Sequence, residues 1–434
     1  MISSIIFIIL LASGSFLFYK NVSKIRRNVL LGKELNRNDQ SSERWKLMTL
    51  VAIGQSKMMV RPVAGIMHIL LYVGFVIINI EVIEIMIDGI FGTHRVLSFA
   101  GPIYDFLIAS FECLALGVII GCVVFFARRN IIKLNRFMNK ELEGWPRSDA
   151  NYILIAEVLL MSAFLIMNST DFLLQGRGFE HYTQAGSFPV SGLISPLFEN
   201  MSSASLVMLE RVCWWFHIIG IIAFLNYLPY SKHFHILLAF PAVYFSNLKP
   251  KGAFNNLTSV TNEVKLMLDP NAAIPPPPET PLKFGAKDVL DLNWKQLMDA
   301  YTCTECGRCT SSCPANQTGK LLSPRKILMD TRDRLTEVGK NIDINGTFVD
   351  DGKSLLGNYI SEEELWACNT CNACTEACPV NLDPLAVIMD LRQYLVMEQS
   401  SAPAALNGMF TNIENNGAPW QFSPADRLNW ASED

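Results

Sequence analysis

Two stretches decide how this chain is read. They are Cys303-Thr304-Glu305-Cys306-Gly307-Arg308-Cys309-Thr310-Ser311-Ser312-Cys313-Pro314 and Cys368-Asn369-Thr370-Cys371-Asn372-Ala373-Cys374-Thr375-Glu376-Ala377-Cys378-Pro379. Both have the form C-x2-C-x2-C-x3-C-P, a spacing that holds [4Fe–4S] clusters. Three thiolates two residues apart wrap three corners of a cubane. The fourth, beyond a short turn and marked by proline, is directed at the other cluster. The spacing therefore predicts cluster one on Cys303, Cys306, Cys309 and Cys378, and cluster two on Cys368, Cys371, Cys374 and Cys313. Structural zinc also uses C-x2-C pairs, but it closes with four tetrahedral ligands and has no use for the remaining cysteines. Disulfides need an oxidising compartment, which the topology below argues against. The motifs describe an electron carrier.

Composition frames the rest. Of 434 residues half are apolar and 18% charged, which is too apolar for an ordinary soluble protein and points to membrane spans. The net charge of −4 gives no reason to expect nucleic acid. Cys113, Cys122 and Cys213, the cysteines outside the motifs, lie in apolar segments and are read as packing residues.

Apolar runs at 2–19, 62–88, 103–127, 151–173 and 208–246 predict five transmembrane helices. The 20–61 loop carries ten Lys and Arg and the 128–150 loop six, whereas the 89–102 and 174–207 loops carry only Arg95 and Arg177. This bias predicts an N-terminus outside and everything after about residue 246 in the cytoplasm of a bacterial or archaeal cell. No basic residue precedes the first run, so it is read as an uncleaved helix.

The last run contains Pro229 and is expected to kink there. On one continuous helix His217 and His235, eighteen residues apart, would share a face. His68 on the second span lies at a depth comparable to His235. Imidazoles within a membrane are costly without a task, and His68 with His235 predicts a bis-histidine b haem.

On these residues the membrane half resembles the cytochrome b (gamma) subunit of respiratory nitrate reductases and its relatives in membrane heterodisulfide reductases. That family has five helices with the N-terminus outside. Its last helix carries two haem-ligand histidines eighteen residues apart, the second after a Pro-x-Ser-Arg/Lys stretch. Here His217 and His235 match them, with Leu228-Pro229-Tyr230-Ser231-Lys232 before the second. His68 matches the second-helix ligand that pairs with the later histidine. Where the family has another histidine this chain has Ile78. Either one haem is bound, or His217 pairs with His94, His181 or a non-histidine ligand. Residues 282–400 resemble the ferredoxin-type subunit of heterodisulfide reductases. The resemblance implies a partner on the cytoplasmic side, a CCG-domain iron–sulfur protein or a flavoprotein.

The expected architecture is thus mainly α. A five-helix cytochrome b bundle (1–246) is followed by a Pro-rich linker (247–281), a helical ferredoxin-like domain with two clusters (282–400) and an aromatic tail (401–434). Helices are expected near 286–301 and 323–334, with a surface insertion around 345–352. The polyproline run 274–281 reads as a stiff spacer that holds the domain without packing. The tail's aromatics read as a docking surface or as folding back on the domain. Glu81, Glu84 and Asp88 share one helix face; Glu81 and Glu84 are candidates for a quinone or proton path, Asp88 for a solvated helix end. Glu112, Glu157, Asn168 and Asp171 are further polar candidates. The leading functional expectation is electron exchange between a cytoplasmic donor and menaquinone, in either direction. A membrane anchor with catalysis in a partner, and a redox sensor, are the alternatives.

Overall fold

The computed structural model describes residues 2–179, 181–253, 256–269, 271 and 283–432; the polyproline run lies outside them. Among the described residues the chain is built from helices, with only isolated bridges in place of strands. Five helices are long and apolar enough to cross a membrane. They are α1 (Ile2–Val29), α2 (Pro62–Phe91), α3 (Pro102–Asn130), α4 (Trp145–Gly176) and α5 (Ser203–Tyr227). Prolines at the start of α2, α3 and α4 supply a preset φ where no amide donor is needed. The chain is a multi-pass membrane protein.

Successive helices α2 to α5 pack side by side, and α1 lies against α2 and α5. The shared core includes Phe7, Ile78, Ile108, Phe111, Phe164, Trp214 and Ile218. Phe7 sets the approach of α1, because a Cβ on Gly89 would stand 2.7 Å from its ring. Cys122 and Cys213 are core residues as expected, but Cys113 is exposed on α3.

The fifth span is not one helix. It ends at Tyr227, passes through two 3-10 turns, and restarts as α6 (His235–Tyr244). Ser231 between the turns is extended, with φ −117° and ψ 151°. The cause is a buried carboxylate far away in sequence. Asp149, at the start of α4, accepts from the Tyr227 hydroxyl, from Ser231 Oγ at 2.7 Å and from the Lys232 amide at 3.1 Å. Those donors hold the chain out of helical register, so the shared-face argument for His217 and His235 does not apply.

The cysteine domain comprises α7 (Trp294–Thr302), α8 (Arg308–Ser312), α9 (Pro324–Asn345), α10 (Ala373–Ala377) and α11 (Pro384–Met397). Helix α9 runs well past the expected end at 334. Its apolar positions continue through Leu335, Val338 and Ile342 until Gly346 ends it at φ 80°. The expected surface insertion is tied down by fully buried Arg334, which bonds Asp288, Asp351 and the Lys353 carbonyl.

The expectation of a domain held without packing is overturned. One core joins Leu297, Tyr301, Leu328 and Val338 to Ile25 of α1, Leu228, Phe234 and Ala242. Basic residues of the 20–61 segment grip the domain. Arg27 bonds the Gly339 carbonyl at 2.9 Å, Arg61 bonds Ser311 Oγ at 2.6 Å, and Arg308 bonds the Lys57 carbonyl at 2.9 Å. Fully buried Arg44 holds the Tyr244 and Ser246 carbonyls at the end of α6. Arg325, also fully buried, bonds Glu141 and the Arg136 carbonyl, each at 2.7 Å. Removing one partner of such a pair leaves a buried charge unmatched. Arg325→Ala is expected to cost about 3 kcal/mol, read as an earlier thermal transition and faster proteolytic release of the domain.

The tail forms a helix, Ala404–Asn416, and a 3-10 segment, Pro424–Ala431. Trp420, Phe422, Leu428 and Trp430 stay exposed, so they do not fold back on the domain.

Candidate functional site

Both cysteine motifs adopt the same local backbone. The residue before the second cysteine and the residue after it have positive φ in each motif: Glu305 (56°) and Gly307 (72°), Thr370 (58°) and Asn372 (59°). Paired left-handed turns curl each loop around its second cysteine. Thr370 is β-branched, and its left-handed conformation is a strained one. Gly307 is required for a second reason: a Cβ there would stand 2.6 Å from the Arg325 guanidinium. Each loop then enters a short helix, α8 or α10, and these two helices pack on one another.

The fourth cysteine of each motif crosses over. A small cavity is lined by Cys313, Cys368, Cys371 and Cys374, with Leu322, Leu385 and Ile388 behind them. On the other side Cys378 lies in the electrostatic field of Cys306, and Cys303 and Cys309 in the field of both. Cys309 also senses Cys374, so the two groups adjoin. Burial pushes the Cys303, Cys374 and Cys378 thiols up to about 12. Ionising such grouped thiols calls for cationic metal among them, as a cubane provides. The amide of Leu382 donates to Cys378 Sγ at 3.3 Å and that of Thr370 to Cys368 Sγ at 3.4 Å, contacts that stabilise sulfur charge. Cys371 is the exposed member of its group, whose Cys313 and Cys374 are buried.

The histidine pair is linked to the first motif through Lys232, three residues before His235, which pairs with Glu305 between Cys303 and Cys306. His68, six residues into α2, and His235, first residue of α6, have ring centroids 6.4 Å apart with planes at 46°. Imidazole nitrogens bind metals at about 2 Å, so two ligands on opposite sides of one metal have ring centres roughly 6 Å apart. His235 Nδ1 donates to the Lys232 carbonyl at 3.1 Å, which leaves Nε2 as the free lone pair. His68 Nδ1 is buried without a partner. The residues fit a haem iron. The sequence reading missed His233, whose ring is 5.6 Å from that of His235 and 5.4 Å from that of Phe224.

His217 is different. Its Nδ1 bonds the Leu160 carbonyl at 3.0 Å and its ring packs 5.9 Å from that of Phe164, while Ile78 belongs to the bundle core. His94 and His181 lie against each other at 5.4 Å, and His94 faces Asp171 at 3.6 Å. Neither is brought to His217. The recorded contacts of His94 and His181 are with each other, Tyr182 and Asp171, and those of His217 are with Leu160 and Phe164.

Around His94 and Asp171 lies a polar array. Glu84 accepts from the Leu97 amide at 2.9 Å and the Tyr104 hydroxyl at 3.0 Å. Arg95 bonds Asp171, Tyr104 and Asn168, and Glu112 accepts from Asn168 and the amides of Val190 and Ser191. Asp88 accepts from Thr93, Arg95 and Val96, capping the turn rather than facing solvent alone. Glu81, 4% exposed, has an Oε2 without a partner.

The comparisons agree with the cysteine geometry. Residues 302–382 match the 4Fe-4S dicluster domain family. Over 99% of its length the chain is 28% identical to the probable iron-sulfur-binding oxidoreductase FadF of Bacillus subtilis, covering 61% of that relative. It is 25% identical, again over 99%, to the EtfAB:quinone oxidoreductase of Syntrophomonas wolfei, covering 59%. Over 24% of the chain it is 29% identical to one subunit of the ferredoxin:CoB-CoM heterodisulfide reductase of Methanosarcina mazei, covering 52% of that subunit. The chain spans about three-fifths of the length of the first two. No solved structure matches. The chain thus joins a 4Fe-4S dicluster domain to five helices long and apolar enough to cross a membrane.

Proposed function

We propose that the chain passes electrons between a cytoplasmic redox partner and the menaquinone pool through two [4Fe–4S] clusters and one b haem. The observation that carries this reading is the link from the first cysteine motif, through Glu305 and Lys232, to the His68–His235 pair. Cluster one is assigned to Cys303, Cys306, Cys309 and Cys378, cluster two to Cys368, Cys371, Cys374 and Cys313, and the haem to His68 and His235. When bound, these groups accept and give up single electrons; the chain's residues hold them in order and shield them. Cluster two, beside exposed Cys371, is the partner's contact, and cluster one and the haem follow inward.

The basic loops at the domain end support a cytoplasmic location for that end. The relative named EtfAB:quinone oxidoreductase supports a quinone terminus. The heterodisulfide reductase relative supports an iron–sulfur or flavoprotein partner. Glu84 is committed to pinning the 95–104 segment, so Glu81, with its unpartnered oxygen, is the carboxyl proposed to exchange protons with quinone. It stands thirteen residues along α2 from His68, roughly 20 Å at the helical rise.

The test uses purified chain in lipid nanodiscs. A menaquinol analogue is expected to reduce the b-type chromophore and then the clusters. Glu81→Gln is expected to slow this about 10²-fold with unchanged iron and haem. A chain whose chromophores ignore quinol and quinone alike would leave an anchor or sensor instead.

A further inference from the structure

We propose that Lys232 is a positioning residue for electron transfer between the two halves of the chain. It fixes the His235 imidazole relative to the Cys303–Cys306 loop. The proposal rests on the cluster-one and haem assignments above.

Lys232 carries a connection at each end. Its carbonyl accepts from His235 Nδ1, setting the direction of that ring. Its ammonium, nearly buried, pairs with the carboxylate of Glu305 and donates to the Pro146 carbonyl at 2.6 Å. Glu305 lies between Cys303 and Cys306 and is 2% exposed. A single residue therefore runs from the histidine to the cysteine loop, through one hydrogen bond and one ion pair. Asp149 fixes the same residue from a third side through the Lys232 amide.

The Glu305 carboxylate is buried between two cationic side chains, Lys232 and Arg332. Arg332 bonds the other carboxylate oxygen at 2.8 Å. Glu305 thus keeps a cation when Lys232 is changed, and Asp149, whose carboxylate lies 3.9 Å from the ammonium, keeps its bonds from Tyr227, Ser231 and the residue 232 amide. Nor is Lys232 needed to dock the domain. Arg27, Arg61, Arg308, Arg325 and the shared apolar core already do that. What is left for the ammonium is the local spacing of two redox sites and the positive charge between them. Transfer here is of one electron: the donor centre is oxidised, the acceptor reduced, and no bond or proton changes. A cation between the centres favours the reduced form of both, and rigid spacing preserves a geometry on which rate depends steeply.

The experiment compares Lys232→Met, Lys232→Arg and Glu305→Gln with the full chain in nanodiscs. Iron, haem content, thermal transition, the haem midpoint potential and the rate at which a soluble low-potential reductant reaches the haem are measured. Lys232→Met is expected to lower the potential and slow haem reduction about tenfold, with cofactor content and melting unchanged. Lys232→Arg is expected to restore both, and Glu305→Gln to slow the step with less change in potential. Unchanged rate and potential in Lys232→Met would overturn the proposal. So would loss of haem or cluster in that variant, since Lys232 would then be a structural requirement. Failure of the underlying assignments is seen separately, as a wild-type chain without a b-type spectrum or without cubane signals.

Discussion

Cys378→Ser is expected to remove the same cluster as Cys303→Ser, although 75 positions separate them in sequence. Two cubanes require about eight non-haem irons per chain, and either substitution should bring an anaerobically prepared sample to about four. The electron paramagnetic signature that survives should be the same in both variants, and should be the one lost in Cys313→Ser or Cys368→Ser. The reasoning is geometric. Cys378 follows the end of α10, whose packing against α8 carries its sulfur into the group of Cys303, Cys306 and Cys309. Cys313 follows the end of α8 and lines the cavity with Cys368, Cys371 and Cys374. In the proposed assignment the two short helices, which lie side by side, exchange their last cysteines. Were each motif to hold its own cluster, Cys378→Ser would spare the Cys303 signal and abolish the Cys368 one. That result would break the crossed assignment while leaving the count of two intact.

The cysteine reading was available from sequence because it is local. The ligand spacing lies within eleven residues, and the left-handed turns at 305, 307, 370 and 372 repeat with it. The spans were legible for a similar reason, since length and apolarity are properties of single helices. What escaped was set by contacts between distant residues. Asp149 breaks the helix before His235 from more than eighty positions away, and nothing near Ser231 announces that partner. The polyproline run suggested separation, yet the core that unites the halves draws on Ile25, Leu228 and Leu297, which a linear reading assigns to different domains. The basic residues of the 20–61 loop were legible as a topological signal. Their second task, gripping the cysteine domain, depends on carbonyls such as Gly339, which carry no side-chain signature. His233 was passed over because its spacing matched no pattern, although its ring adjoins that of His235.

His68→Ala and His235→Ala are each expected to abolish the low-spin b-type spectrum, bringing haem from one per chain to none. His233→Ala and His217→Ala are expected to retain it. The four variants separate readings that the histidine positions alone leave mixed. His233 is near enough to compete, but its ring is not oriented by a backbone carbonyl, and it packs on Phe224. His235 is oriented by Lys232, and its centroid distance to His68 suits opposed ligation. His217 is oriented by Leu160, as a ligand would be, but the ring packed on it is that of Phe164. A haem there would need a partner from α2, and Ile78 has no lone pair to give. Pyridine haemochrome against protein is therefore expected to give one haem, indifferent to His217→Ala. A value of two that fell to one in His217→Ala would restore the second haem. Survival of the spectrum in His68→Ala would be more damaging. His68 is the only histidine of α2, so its dispensability would detach the haem from that helix and leave the link from haem to cluster one without support.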